Sequence, residues 1–223
     1  MAQSVLAPLS ALDHATDQQE RVGDAITQRA AARFREFLET LGLDMKDPNL
    51  AGTEWRVARM FRELFAGHYA GHEPTLRTFP NTEGYAEAVA VTDIPFHSLC
   101  AHHFLPFYGT AHVAYVPKAR LLGLSKLARV VDFYARRPQL QERMTEQIAE
   151  LIEKRLRPAG TMVVIQARHL CMEMRGVGKA GSTTTTSASR GVFHEGSSRH
   201  PFPALLAPRA PVSGVGWTSK REE

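Results

Sequence analysis

What most constrains this chain is a change in the period of its apolar residues. Through residue 65 they recur at three- and four-residue steps, and beyond Pro80 they fall into short β-branched or aromatic runs broken by proline and glycine. The first period builds a stripe on a helix and the second builds one face of a strand, so the two parts must bury apolar surface in different ways. Val22, Ile26, Ala30, Phe34, Phe37, Leu38 and Leu41 predict an amphipathic helix that ends near Gly42. A second helix is expected from Thr53 as a cap, with Val57, Met60, Phe61, Leu64 and Phe65 as its stripe and Arg56 and Arg59 on a different face. Residues 1–19 are small and polar without a period and are read as a mobile arm.

The second part reads as strands at 86–94 and 104–116, with His97 to His103 between them. Ser125 is placed to cap a helix through Arg136. Pro138 opens another helix, whose buried stripe is Leu140, Met144, Ile148, Leu151 and Ile152. Strands are expected again at 161–169, 170–175 and 183–193, and Pro201, Pro203, Pro208 and Pro211 then make regular structure unfavourable. Helices grouped apart from runs of strands indicate an α+β fold with antiparallel pairing.

Composition narrows the class. With 43% hydrophobic and 22% charged residues among 223, the chain can build a core of domain size and is not disordered as a whole. Two cysteines cannot staple a small secreted scaffold, and no run approaches the ~20 consecutive apolar residues of a membrane span. The apolar stretch from Ser4 to Leu12 has no basic flank before Arg21, and Asp13, Asp17 and Glu20 argue against a transit peptide. A soluble cytoplasmic protein is the expectation. Its 27 basic and 23 acidic residues leave a net charge of +4, too dispersed to indicate a partner by charge alone.

Cys100 and His103 stand three apart in Cys-Ala-His-His, and the other cysteine, Cys171, lies in His-Leu-Cys-Met. Two thiolates and an imidazole are donors that zinc takes, and three protein ligands leave a fourth position for water, the count of a catalytic site. On a flat strand residues i and i+3 face opposite ways, so Cys100 and His103 converge only if the chain bends there. A lone cysteine is otherwise a small buried hydrophobe. His102 and His169 each lie within two residues of a proposed ligand. They are candidate proton carriers, against the alternative of histidines satisfied within a β-rich region. Ser125, Lys126 and Arg129 at a helix start suit a phosphate, or are a solvated cap. Glu142, beside Gln141, is either an exposed first-turn acid or a carboxylate matching the ring N–H and exocyclic amine on one edge of guanine.

Together these residues are far more specific than any motif alone. His-Ser-Leu-Cys-Ala-His-His-Phe, Gly-Leu-Ser-Lys-Leu-Ala-Arg, Arg-Arg-Pro-Gln-Leu-Gln-Glu-Arg, His-Leu-Cys-Met-Glu-Met-Arg-Gly-Val and Thr-Thr-Thr-Thr-Ser stand in the order and spacing of GTP cyclohydrolase I, which the chain resembles over residues 25–195. The resemblance implies a tunnelling fold (T-fold) over residues 20–195: an N-terminal helical segment, then an antiparallel sheet with helices packed on one face. It leaves 196–223 as a proline-rich tail. It further implies a homodecamer of two pentamers with active sites between subunits, and hydrolysis with ring expansion of GTP to formate and 7,8-dihydroneopterin triphosphate, the first step toward folate and pterins. Zn2+ is the implied cofactor and GTP the small-molecule partner, with no nucleic acid and no membrane. By motif, Cys100, His103 and Cys171 resemble the zinc ligands, His102 and His169 the acid/base pair, and Ser125 a group near the sugar. Gln141 and Glu142 resemble the guanine-recognition pair. Arg56, Arg59, Lys126, Arg129 and Arg175 resemble the triphosphate cations, some of them supplied by a neighbouring subunit.

The chain departs from the family pattern in three places. Ala101 replaces the usual Glu, removing a carboxylate behind the ligands; Thr53-Glu54-Trp55 replaces Thr-Pro; and the proline-rich tail replaces a terminal helix. Ala101 keeps open a paralogue that opens the imidazole ring for a deazapurine or another secondary pathway. A binding protein without turnover would need a missing ligand or acid. A sister T-fold reductase would need a cysteine nucleophile beyond the two assigned as ligands.

Overall fold

Helical period and helix-forming composition combine in the first part of the chain to give α1 (Leu9–Thr40) and α2 (Thr53–Leu64), followed by a single 3-10 turn, Ala66–His68. The structure, a computed structural model, describes residues 9–69, 71 and 73–194, with side chains from Ala25 onward. Residues 1–8 of the expected arm, residue 195 and the expected tail, 196–223, lie outside the described residues. Helix α1 begins at Leu9, inside the stretch read as an arm. Leu9, Ala11, Leu12, Ala15, Gln18, Gln19 and Glu20 are strong helix formers, so propensity extends the helix where no apolar stripe marks it. Ala31 and Leu38 of α1 and Ala58 of α2 are buried, while Phe37, Leu41 and Met60 of the expected stripes stay exposed. Gly52, with φ of 72°, is the N-cap of α2. Thr53 is the first helical residue, and its hydroxyl accepts from Arg56 at 2.6 Å.

The chain divides after residue 70 into this helical unit and a second unit that holds all the strands found among the described residues. There β1 (Thr78–Pro80) pairs with β4 (Arg120–Leu122). A five-stranded sheet has the order β5 (Pro138–Gln139), β2 (Val89–Cys100), β3 (Pro106–Val116), β6 (Gly160–His169) and β7 (Thr184–Gly191). Every pairing is antiparallel except β5 with β2. Helices α3 (Leu124–Ala135) and α4 (Gln141–Leu156) pack on one face. The core there joins Phe107, Val113 and Tyr115 of β3 and Val163 and Ile165 of β6 to Leu127, Val130 and Val131 of α3 and Met144, Ile148 and Ile152 of α4. Where β3 and β6 approach, Gly109 has no room for a side chain, since a Cβ there would sit 1.9 Å from the Gln166 carbonyl oxygen.

Four local expectations are corrected. Strand β2 continues through His97 to Cys100, because its ladder with β3 extends to Leu99 opposite Pro106. Gly123 is the N-cap of α3, so Ser125 lies within the first turn and caps nothing. Pro138 opens no helix: it starts the short parallel strand β5, a position that tolerates a missing N–H, and α4 begins at Gln141. Residues 170–173 form a single helical turn, α5 (Leu170–Glu173), where a strand was expected, since Leu, Cys, Met and Glu meet no further ladder partner beyond His169. Among the described residues no helix is long and apolar enough to cross a membrane.

Ile148 is fully buried between α4 and the sheet. Ile148→Ala should lower unfolding free energy by about 2–5 kcal/mol, the lost transfer energy plus a cavity. Denaturant titration should show a shifted midpoint with an unchanged slope, and the exposed Glu150→Ala should move it by no more than about 0.5 kcal/mol.

Candidate metal centre and surrounding site

A bend at the end of β2 supplies the first two candidate ligands. The N–H groups of His103 and Phe104 donate to the Cys100 carbonyl at 3.3 and 2.8 Å, and the Cys100 N–H donates to the Leu105 carbonyl at 2.9 Å. The chain reverses within Ala101–Leu105 and enters β3. Phe104 takes a positive φ of 53° to do so, a left-handed conformation uncommon outside glycine. This is the bend that convergence of Cys100 and His103 requires. Strand β5 holds it from the other side: the Ala101 N–H donates to the Gln139 carbonyl at 2.8 Å, and Cys100 is in register with Gln139. The Gln139 side chain is itself buried, with its amide nitrogen 3.0 Å from both the Tyr134 carbonyl and Gln147 Oε1, and its oxygen accepting from Arg143 Nε at 2.9 Å.

Cys171 arrives from a distant part of the chain. Phe107 is in register with His169 at the end of β6, and Cys171 follows two residues on, within α5 (Leu170–Glu173). The candidate ligand atoms of Cys100, His103 and Cys171 lie within 4.8 Å of one another. A tetrahedral zinc, with sulfur at about 2.3 Å and imidazole nitrogen at about 2.0–2.1 Å, has neighbouring ligand atoms just under ~4 Å apart, so the cluster fits with little movement. Burial pushes the Cys171 thiol up, and Cys100 beside it pushes the same way. A divalent cation reverses that penalty by stabilising thiolates, and the site would release protons on loading.

A clasp holds α5 in place. Arg168 on β6 grips Glu173 with two N–H groups, Nε at 2.8 Å, and Glu173 also accepts the backbone N–H of Gly181. The Arg168 hydrogen bond holds the Glu173 carboxyl below the usual carboxylate range, and the Glu173 side chain is only 7% exposed. The Lys179 N–H donates to the Met172 carbonyl at 2.9 Å, folding the following loop back onto α5.

The remaining residues singled out in the sequence divide into those gathered here and those carried elsewhere. His102 is exposed, with Nδ1 3.9 Å from Cys100 Sγ. His169 lies flat against Phe107, ring centroids 4.7 Å apart and planes 3° from parallel, and its Nε2 is 2.7 Å from Gln141 Oε1. Burial lowers the His169 pKa, and the charge of Glu142 pulls it the other way. Glu142 is exposed in the first turn of α4, whereas Gln141 is 1% exposed and its amide group is already hydrogen-bonded within the fold. Of the two residues expected to read guanine, only Glu142 faces outward. The charge of Arg175, just beyond α5, draws the Cys171 thiol down. Ser125, Lys126 and Arg129 belong to the first two turns of α3, with Ser125 and Arg129 exposed. Arg56 and Arg59 are exposed on α2 in the helical unit. Gln139, Phe107, Arg168 and Glu173 escaped the sequence reading, because each acts through a partner that only the fold brings near.

Residues 30–206 match the family model described as GTP cyclohydrolase I. A GTP cyclohydrolase 1 of Mycobacterium tuberculosis (strain ATCC 25618 / H37Rv) is 52% identical over 168 residues, 74% of this chain and 83% of its own length. That of Mycolicibacterium paratuberculosis is 50% identical over 186 residues, covering 82% of this chain and 89% of its own. That of Carboxydothermus hydrogenoformans is 51% identical over 180 residues, covering 80% and 93%. The matched span contains every strand of the sheet and all three candidate ligands.

One divalent metal ion per chain is expected, and Cys100→Ser, His103→Ala or Cys171→Ser should each abolish it by elemental analysis, since two donors are too few. Full occupancy in Cys171→Ser would sink the site. Glu173→Ala should still fold and load zinc but hold it about tenfold more weakly against a chromogenic chelator. Parental affinity would show that α5 stays in place without the clasp.

Proposed function

Given that this chain belongs to the GTP cyclohydrolase I family of enzymes, we propose that it performs the full conversion of GTP to 7,8-dihydroneopterin triphosphate and formate, with zinc as its metal. The observation that carries the metal-dependent reading is the meeting of Cys100, His103 and Cys171 from the ends of two strands that flank β3. These three residues would hold zinc, and the chemistry it supplies when bound is a water nucleophile usable near pH 7, directed at carbon 8 of guanine.

The protein's own residues then supply protons and orientation. His102 and His169 flank the ligand positions and carry protons to and from the imidazole ring of the substrate, so that ring opening and loss of formate proceed without strong acid. Glu142 accepts the ring N–H and exocyclic amine of guanine; adenine presents an acceptor nitrogen at the first of those positions and leaves the carboxylate unmatched. Ser125 stands near the sugar. Lys126, Arg129, Arg175, Arg56 and Arg59 neutralise the triphosphate, some of them reaching a neighbouring subunit's site. The sheet ends at β7 and at the two-residue β5, edges that support pairing between copies in a decamer of two pentamers. Two free cysteines suit the reducing cytoplasm.

Purified zinc-loaded protein given GTP should release formate and a fluorescent pterin in equal amounts; formate without pterin would instead support the ring-opening paralogue. His102→Ala and His169→Ala should keep their metal and lose turnover by about 10²–10⁴-fold, and parental rates in either would remove that histidine from the mechanism. Glu142→Gln should weaken GTP binding roughly five- to a hundredfold, the cost of an unpaired donor at ~1–3 kcal/mol. Calorimetry on zinc-depleted samples reads this without turnover, and unchanged affinity would leave Glu142 as a solvated first-turn acid.

A further inference from the structure

The first residue of α4 is Gln141, 1% exposed and surrounded by hydrogen-bonding groups whose directions are fixed. Its amide nitrogen lies 3.0 Å from the Ile165 carbonyl oxygen of β6 and 3.0 Å from the Thr184 carbonyl oxygen of β7. Backbone carbonyls only accept, so the NH2 end of the side chain must face them. A third contact agrees. The Thr145 hydroxyl donates to the Gln141 carbonyl at 2.8 Å, so across the 2.6 Å contact between Thr145 and Thr186 the Thr186 hydroxyl is the donor. That leaves the Thr186 oxygen free to accept from the Gln141 amide at 3.2 Å. Rotating the amide by half a turn would set its oxygen against two carbonyl oxygens in a buried place, so its orientation is locked.

With the nitrogen committed, Gln141 Oε1 is the atom 2.7 Å from His169 Nε2. An amide oxygen only accepts, so Nε2 must carry a hydrogen. The Phe107 ring, stacked on the imidazole face, holds the ring plane so that this bond is kept. We propose that Gln141 is a positioning residue that fixes His169 in its Nε2–H tautomer and leaves Nδ1 as the ring nitrogen that exchanges a proton with substrate. The role of His169 rests on the function proposed above; the tautomer does not. The proposal also moves Gln141 away from guanine recognition, which falls to Glu142.

The test uses the full-length, zinc-loaded protein labelled with 15N-histidine and read by magic-angle-spinning NMR, the His169 signals being those lost in His169→Gln. The parent should show a protonated Nε2 and a bare Nδ1; the opposite pattern overturns the proposal and needs no variant at position 141. Gln141→Leu should yield a mixture of tautomers and a kcat lower by about 10- to 100-fold, with KM for GTP and zinc content near parental. A raised KM with unchanged kcat in Gln141→Leu would make Gln141 a guanine contact and overturn the proposal. If His169→Ala retains parental turnover while the parent spectrum shows Nε2–H, the catalytic reading fails and the tautomer assignment stands.

Discussion

Strand β3 is hydrogen-bonded along both edges, and its register is the constraint on which the site depends. Phe107 lies opposite Ser98 of β2 on one side and opposite His169 of β6 on the other. That shared level brings the end of β2, with Cys100 and the bend to His103, beside the end of β6, with His169 and then Cys171. Because side chains alternate along a strand, a slip of one residue in either ladder would turn the ligands away from each other. The buried side chains of Phe107, Val113, Tyr115, Val163 and Ile165 against α3 and α4 resist such a slip, since it would carry the core face into water. Core packing and metal geometry therefore depend on the same register.

Residues 139–142 transmit that order to the reacting groups. Gln139 holds the bend through its backbone and is anchored through its side chain, while Gln141, two residues on, reaches across to β6 and β7 and to His169. Between them, Leu140 is the extended N-cap residue from which α4 departs. Two buried amides are costly unless satisfied, at about 1–3 kcal/mol for each group left without a partner, and both are satisfied here. Polar groups of this kind specify one arrangement among many compact ones. Immediately after them Glu142 is exposed, so one short segment passes from structural support to a surface suited to substrate.

Ala101 shows how backbone and side chain divide this work. Its N–H makes the hydrogen bond to Gln139 that ties the bend to β5, a contact any residue but proline could make. Its methyl group adds no charge beside the ligands, and the neighbouring groups that act on the Cys171 thiol are Cys100 and Arg175.

The change of apolar period, the helix stripes and the residue types of the ligand trio were legible from the chain alone, since they depend on local spacing and donor chemistry. The motifs around Cys100, Ser125, Gln141 and Cys171 were equally legible, and they identify the family. Where the reading missed, a distant partner outweighed a local preference. His97–Cys100 stays in β2 because β3 extends beside it, Pro138 becomes a strand because β2 is there to pair with, and Leu170–Glu173 coil into a turn because no ladder continues past His169. The role of Gln141 was hidden for the same reason. Sequence names an amide beside a carboxylate, but which end of that amide faces His169 is decided by carbonyl oxygens 24 and 43 residues away, which only the folded sheet brings within hydrogen-bonding distance.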